Sequence, residues 1–101
     1  MTASKDVEEF SDNGNSDAYN MLGELYETSD TPDYDLASSY YKKAVKLNHP
    51  RAMYNLAVIY EQGHGSLKIN FEMAMRLYRQ SARLKNRDAE MRLQELTEIL
   101  E

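Results

Sequence analysis

Apolar side chains recur at helical spacing along most of this chain. Ala18, Leu22, Leu25 and Tyr26 share one face of a helix, and Ala37, Tyr40, Tyr41, Ala44 and Leu47 share one face of a second. The pair then repeats. Ala18, Leu22, Gly23, Tyr26 and Glu27 recur 34 residues later as Ala52, Leu56, Ala57, Tyr60 and Glu61. Past the turn the spacing widens to 37: Tyr34, Asp35, Ala37, Tyr41, Ala44 and Leu47 recur as Phe71, Glu72, Ala74, Tyr78, Ser81 and Leu84. A third unit keeps Ala89 and Leu93 and runs out at Glu101. Periods in this range mark stacked helical hairpins, because one hairpin cannot bury its own apolar face.

Local signals agree with paired helices. Gly23, Ala57, Ala37, Ala74, Ala44 and Ser81 are small residues placed where two helices must approach closely. Asp35 and Glu72 lie early in the second helices and Lys42, Lys43, Lys46, Arg79, Arg83 and Lys85 lie late, as the helix dipole favours. Gly63, in the stretch "GHG", is a natural left-handed cap; Pro32 stands near a helix start and Pro50 between helices. The expected fold is all-α, an α-solenoid of stacked antiparallel helix pairs. It divides into an N-terminal segment 1–16, repeat one at 17–49, repeat two at 50–86 and a C-terminal capping helix at 87–101. Segment 1–16 reads either as a vestigial capping helix, with Phe10 at the place of Ala44, or as disordered chain.

A chain of 101 residues suits one domain with one modest core. It has no cysteine, which removes disulfides, thiol catalysis and cysteine-ligated metals. No stretch reaches the ~18 apolar residues of a membrane span, and the N-terminus lacks the basic start and apolar run of a secretory signal. Cytoplasm is the simplest location. The net charge of −5 is uneven: residues 1–17 hold −4, and the rest is close to neutral. A near-neutral body argues against a dedicated nucleic-acid binder. The Met1 start and the absence of a truncated motif at the N-terminus point to a whole protein rather than a piece of a longer array.

The stretch "AMYNLAVIYEQGHGSLKINFEMAMRLYRQSARLKNRDA" resembles the Sel1-like repeat family, a relative of the tetratricopeptide repeat. Ala52, Leu56, Tyr60, Glu61, Gly63, Gly65, Asn70, Ala74 and Tyr78 stand at its motif positions. Ala57 replaces the usual glycine. Repeat one lacks both turn glycines, and the third unit has Thr97 in place of the tyrosine. The resemblance covers about residues 14–97. It implies an α-solenoid with right-handed superhelical curvature that acts as an adaptor, scaffold or peptide-binding surface and is not an enzyme.

If tetratricopeptide geometry carries over, the first helices line a concave face. Asp17, Asn20, Glu24 and Glu27 would point into it from repeat one. Arg51, Tyr54, Val58, Glu61 and Gln62 would do so from repeat two, and Asp88, Met91, Glu95 and Glu98 from the last helix. Of these, Asn20, Glu24, Glu27, Arg51, Tyr54, Val58, Glu61, Met91 and Glu95 form the candidate partner-binding set. The groove is mainly acidic with an apolar middle, suited to a basic or amphipathic segment of another protein. The competing reading is a solvated charged face.

On the second helices Lys42, Lys43, Lys46, Arg79 and Arg83 make a basic stripe. It reads as helix-end electrostatics and solubility, or as a contact for RNA or an anionic surface; no recognised nucleic-acid motif accompanies it. Tyr26, Tyr41, Tyr60 and Tyr78 are expected in the core, Tyr19 and Tyr54 as candidates for ligand contact. His49 and His64 lie in turns without a zinc-type ligand arrangement. No nucleophile elbow, carboxylate pair in a pocket or phosphate-cradling loop is present. No cofactor, metal or catalytic residue is expected. A second class of function is a dedicated inhibitor or immunity protein that neutralises one toxin or effector. Leu96, Ile99 and Leu100 either pack on the second helix of repeat two or offer a weak self-association surface.

Overall fold

A computed structural model describes residues 2–100, with side chains described for residues 14–99. Among the described residues there are five helices and no strand: α1 (Thr2–Thr28), α2 (Tyr34–Lys46), α3 (Pro50–Gln62), α4 (Phe71–Arg83) and α5 (Arg87–Leu100). Helices α1 and α2 form one hairpin, α3 and α4 a second, and α5 packs on α4. The architecture is an all-α solenoid of two repeats and a further first helix. The bounds of α1 take in both segment 1–16 and the first helix of repeat one. Phe10 and the other side chains before Gly14 lie outside the described residues, as does Leu100.

Each helix after α1 starts on a side chain that accepts a hydrogen bond from an otherwise unpaired N–H. Asp33 caps α2 through Leu36 N at 3.0 Å, Asn70 caps α4 through Met73 N at 3.0 Å, and Asn86 takes Ala89 N at 2.9 Å. His49 caps α3, its Nδ1 accepting from Ala52 N at 3.1 Å, with Pro50 at the first helical position. The links from α2 to α3 and from α4 to α5 are copies of each other. Asn48 (φ 62°) and Lys85 (φ 70°) turn left-handed, and the N–H groups of His49 and Asn86 return to the carbonyls of Ala44 and Ser81, both at 3.1 Å.

The core is the repeated set of small and aromatic residues: Ala37, Tyr41, Ala44, Ala52, Ala57, Ile59, Ala74, Tyr78 and Ala89 are fully buried. Tyr26 and Tyr60 pack against it half-buried. The alanines let the helices close on the two large phenols. Gly23 has the tightest place, since a Cβ there would stand 2.4 Å from the Tyr41 ring.

Candidate functional site

The first helices α1, α3 and α5 lie side by side, joined by polar side chains that the repeat supplies at fixed positions. Position 21 of unit one corresponds to Asn55 and then to Arg92. Asn55 reaches back to α1, donating to Asn20 Oδ1 at 3.0 Å and to Glu24 Oε2 at 3.4 Å. Arg92 reaches back to α3 and grips both oxygens of Glu61, with Nε at 3.1 Å from Oε1. Arg51 spans the row: it donates to Asp88 on α5 at 2.8 Å, stands 3.8 Å from Glu24 on α1, and lies over the Tyr54 ring. Asp17 meets His49 Nε2 at 2.7 Å. Because Nδ1 of that ring accepts the capping bond, Nε2 carries the proton toward Asp17.

Two carboxylates expected to give the row free negative charge are held inside the units. Tyr41 donates its hydroxyl to Glu27, and Tyr78 donates to Glu61 at 2.7 Å. The Arg92 guanidinium and the Tyr78 hydroxyl hold the Glu61 carboxyl below its ordinary range, against the opposing effect of burial. Burial, then the facing carboxylate, pushes both phenols up. The Glu61 carboxylate raises Arg92 further. Asn20 is buried at 5% exposure, its amide taken by Asn55. Of the candidate set, Glu24 and Arg51 are partly open to solvent, Tyr54 and Val58 are half-buried, and Met91 and Glu95 are exposed.

Two further features lie outside that row. Tyr40 of α2 stacks between Tyr19 and Tyr26 of α1 with ring centres 6.3 and 5.8 Å away, and Lys43 sits 5.5 Å over Tyr19 and Tyr40. Tyr19 and one cation of the basic stripe are therefore engaged within repeat one. A cleft of about 230 Å³ opens between Glu61, Phe71, Met75, Arg92, Leu96 and Ile99. Leu96 is buried while Ile99 is 72% exposed.

The "GHG" turn does more than stop α3. Its His64 ring stacks on Tyr34 with centres 4.1 Å apart, and Asp35 accepts from Ser66 N at 2.7 Å and Ser66 Oγ at 2.8 Å. The Ser66 amide and hydroxyl keep the Asp35 carboxyl below its ordinary value. Gly65 is required twice over: its φ is +63°, and a Cβ there would lie 2.6 Å from Asp35 Oδ1. The turn of unit two thus latches onto the second helix of unit one. Spacing alone did not expose this latch, because its two halves lie 31 residues apart and occur once.

These inter-unit contacts define a helical-hairpin repeat protein. The Sel1 repeat family matches residues 16–49 and 50–86, and the chain belongs to it. A Sel1 repeat protein from Oxalobacter formigenes is similar over 82% of this chain and 35% of its own, at 32% identity and a TM-score of 0.76. The protein c5321, a protective antigen present in uropathogenic Escherichia coli strains, shows the same fold over 85% of this chain and 19% of its own, at 26% identity and a TM-score of 0.77. This chain thus spans 35% and 19% of these longer proteins. No match was found among curated proteins. Proteins of this repeat family are generally non-catalytic protein-interaction modules. No helix is long and apolar enough to cross a membrane among the described residues.

Proposed function

We propose that this chain is a non-catalytic adaptor or scaffold that binds a basic or amphipathic segment of another protein along the row formed by α1, α3 and α5. The observation that carries the reading is the apolar strip on α3 and α5. Met91 on α5 is 61% exposed, Tyr54 and Val58 on α3 are half-buried, and the row carries the partly exposed carboxylates of Glu24 and Asp88, which face Arg51, and Glu95, which faces Arg92. An apolar centre with a charged rim suits a segment that inserts one or two apolar side chains and pairs its cations at the edge. Glu27 and Glu61 do not provide that rim, because their carboxylates are occupied by Tyr41, Tyr78 and Arg92. The cytoplasm fits a cysteine-free chain of this kind.

The test is cross-linking capture from the native host with the wild type beside a Tyr54→Ala, Glu95→Lys variant that keeps its circular dichroism. Capture of one protein by the wild type and its loss in the variant is the expected result. Equal capture by both removes the row as the working surface. The captured protein's activity, with and without this chain, then separates an adaptor from an inhibitor.

A further inference from the structure

Four helices start on a capping side chain, and one of the four changes charge near neutral pH. Asp33, Asn70 and Asn86 accept through a side-chain oxygen, whereas His49 accepts through Nδ1. The repeat sets His49 against Asn86, 37 residues later. Each follows the left-handed residue of its link and returns its own N–H to the preceding second helix, to Ala44 or Ser81. Each then takes the N–H three residues on, Ala52 at 3.1 Å or Ala89 at 2.9 Å. Asparagine therefore meets the structural need of this position. Histidine adds a second nitrogen and a site for a proton.

The second nitrogen is used. Nε2 meets Asp17 of α1 at 2.7 Å, so the ring links the start of α3 to unit one. The His49 side chain is 13% exposed and that of Asp17 73%. A cavity of about 420 Å³ beside the ring is lined by Ser16 and Asp17 of α1, Leu47 and Asn48 of the link, Arg51 of α3 and Asn86 before α5. Asp17 and Arg51 are the charged groups among them, and Arg51 is paired with Asp88 at 2.8 Å and stands 3.8 Å from Glu24. Lys46 at the end of α2 and Arg87 at the start of α5 are exposed and do not line it.

The two nitrogens cannot both keep their present roles once the ring is protonated. A proton on Nδ1 turns an acceptor into a donor that faces another donor, the N–H of Ala52. It also sets a positive charge at the N-terminus of α3, where the helix dipole opposes it. Nε2 keeps its proton, and its bond to Asp17 becomes charge-assisted on both sides. Protonation thus exchanges the cap for a firmer tie to α1, and the ring stays seated.

We propose that His49 is a proton switch at the junction of the two units: protonation of Nδ1 releases the first turn of α3 from its cap while Nε2 keeps that turn's link to Asp17. Arg51, which reaches Asp88 on α5, rides on the released turn. The change is local, because the core residues beneath α3 take no part in it. The switch stands whether or not the row of first helices binds a partner.

The test is an NMR titration of the unmodified chain from about pH 8 to about pH 5, the range in which histidine changes charge. At the upper end, long-range proton–nitrogen correlations should show His49 with a bare Nδ1 and a protonated Nε2. As the His49 ring titrates, exchange protection of the Ala52 N–H, corrected for intrinsic rates, should fall about 3- to 30-fold. Ala89, capped by Asn86 in the same molecule, should keep its protection throughout. His49→Asn should hold Ala52 protected at every pH, as Asn86 holds Ala89. The opposite tautomer at the upper end overturns the proposal. So does an Ala52 N–H that stays protected while His49 titrates, or one that changes together with Ala89. A response at Ala52 that persists in His49→Asn overturns it as well.

Discussion

Tyr78 donates its buried hydroxyl to Glu61 at 2.7 Å, and the same carboxylate accepts the guanidinium of Arg92 from the next first helix. One carboxylate therefore ties the two helices of its own unit together and joins them to α5. In unit one Tyr41 makes the matching bond to Glu27, but Asn55 stands at the place of Arg92 and bonds Asn20 and Glu24 instead. Tyr78→Phe should cost about 1 kcal/mol, and Glu61→Gln about 1–3 kcal/mol because it leaves Arg92 with only the exposed Glu95 at 3.6 Å as counter-charge. A double-mutant cycle read by urea unfolding should give a coupling of ~0.5–1.5 kcal/mol for Tyr78 with Glu61. A coupling indistinguishable from zero would mean the bond adds nothing to stability.

The same groups set the pH range of the fold. The folded-state carboxyls of Glu61 and Asp35 lie below their ordinary values of 4.5 and 3.8. Their contribution is present above those values and is lost as pH falls through the depressed ones. Tyr41 and Tyr78 lie above their ordinary value of 10.0, so they stabilise below it and the gain is lost as pH rises past it. Thermal melts should show a plateau with an acid limb below about pH 4.5 and an alkaline limb above about pH 10. Glu61→Gln should flatten the first limb and the Tyr41→Phe, Tyr78→Phe pair the second. Unchanged limbs in those variants would assign the pH dependence to other groups.

At the junction between units, Gly65→Ala should break the latch. The substitution puts a Cβ on Asp35 Oδ1 and forces an alanine into φ +63°. The expected loss is ~1–3 kcal/mol. Amide exchange is the decisive readout. Ser66 N–H, which is bonded to Asp35, should lose its protection while the centre of α4 keeps its own. Protection at Ser66 equal to the wild type would show that the turn is held without the latch.

Much of this fold was legible in the chain. The spacings of 34 and 37 residues place the hairpins, and Ala52, Ala57, Ala74 and Tyr78 are buried where the pattern puts them. The contacts between units were not legible. Asn55, Arg92, His64 and Ser66 sit at polar or turn positions where composition gives no partner, and their partners come from elements 30 to 35 residues away. The pattern also treats Ala18 and Ala52 as equals. Burial separates them, because only Ala52 has a second helix before it. Glu27 and Glu61 read as free acids because a helix wheel shows which way a side chain leaves the backbone and not what meets it there.

The tight links between units differ in chemistry at their left-handed position. Asn48 and Lys85 both hold a left-handed φ, near 62° and 70°. Asparagine tolerates that region, whereas lysine is strained there by roughly 1 kcal/mol. Lys85 is exposed and makes no salt bridge among the described residues, so its side chain offers little in compensation. Lys85→Gly should raise stability by about 0.5–1 kcal/mol, or a few degrees in Tm. Asn48→Gly should gain less. A lower melting point for Lys85→Gly would show that glycine's greater freedom in the unfolded chain outweighs the strain relieved.

Gly23 and Ala57 occupy the same place in the two units, yet they should respond in opposite senses to the usual helix preference. Alanine normally favours a helix over glycine by about 1 kcal/mol. At Gly23 that gain meets the Tyr41 ring, whose Cε1 and Cδ1 would lie 2.4 and 2.5 Å from the new Cβ. Tyr41 is fully buried, and its hydroxyl is fixed on Glu27, so the ring has little room to withdraw. Overpacking of this kind costs ~1–3 kcal/mol, which exceeds the propensity gain. Gly23→Ala should therefore destabilise the chain, and pairing it with Tyr41→Phe should recover part of the loss, since the ring then loses its tether to Glu27. Ala57→Gly should also destabilise, by about 1 kcal/mol, because it gives up helix propensity and leaves a small void next to unit two's core. Chemical denaturation of the three variants decides the matter. A stabilised Gly23→Ala would mean that α1 and α2 can separate by a few tenths of an ångström at no cost, and that the glycine is not what sets their approach.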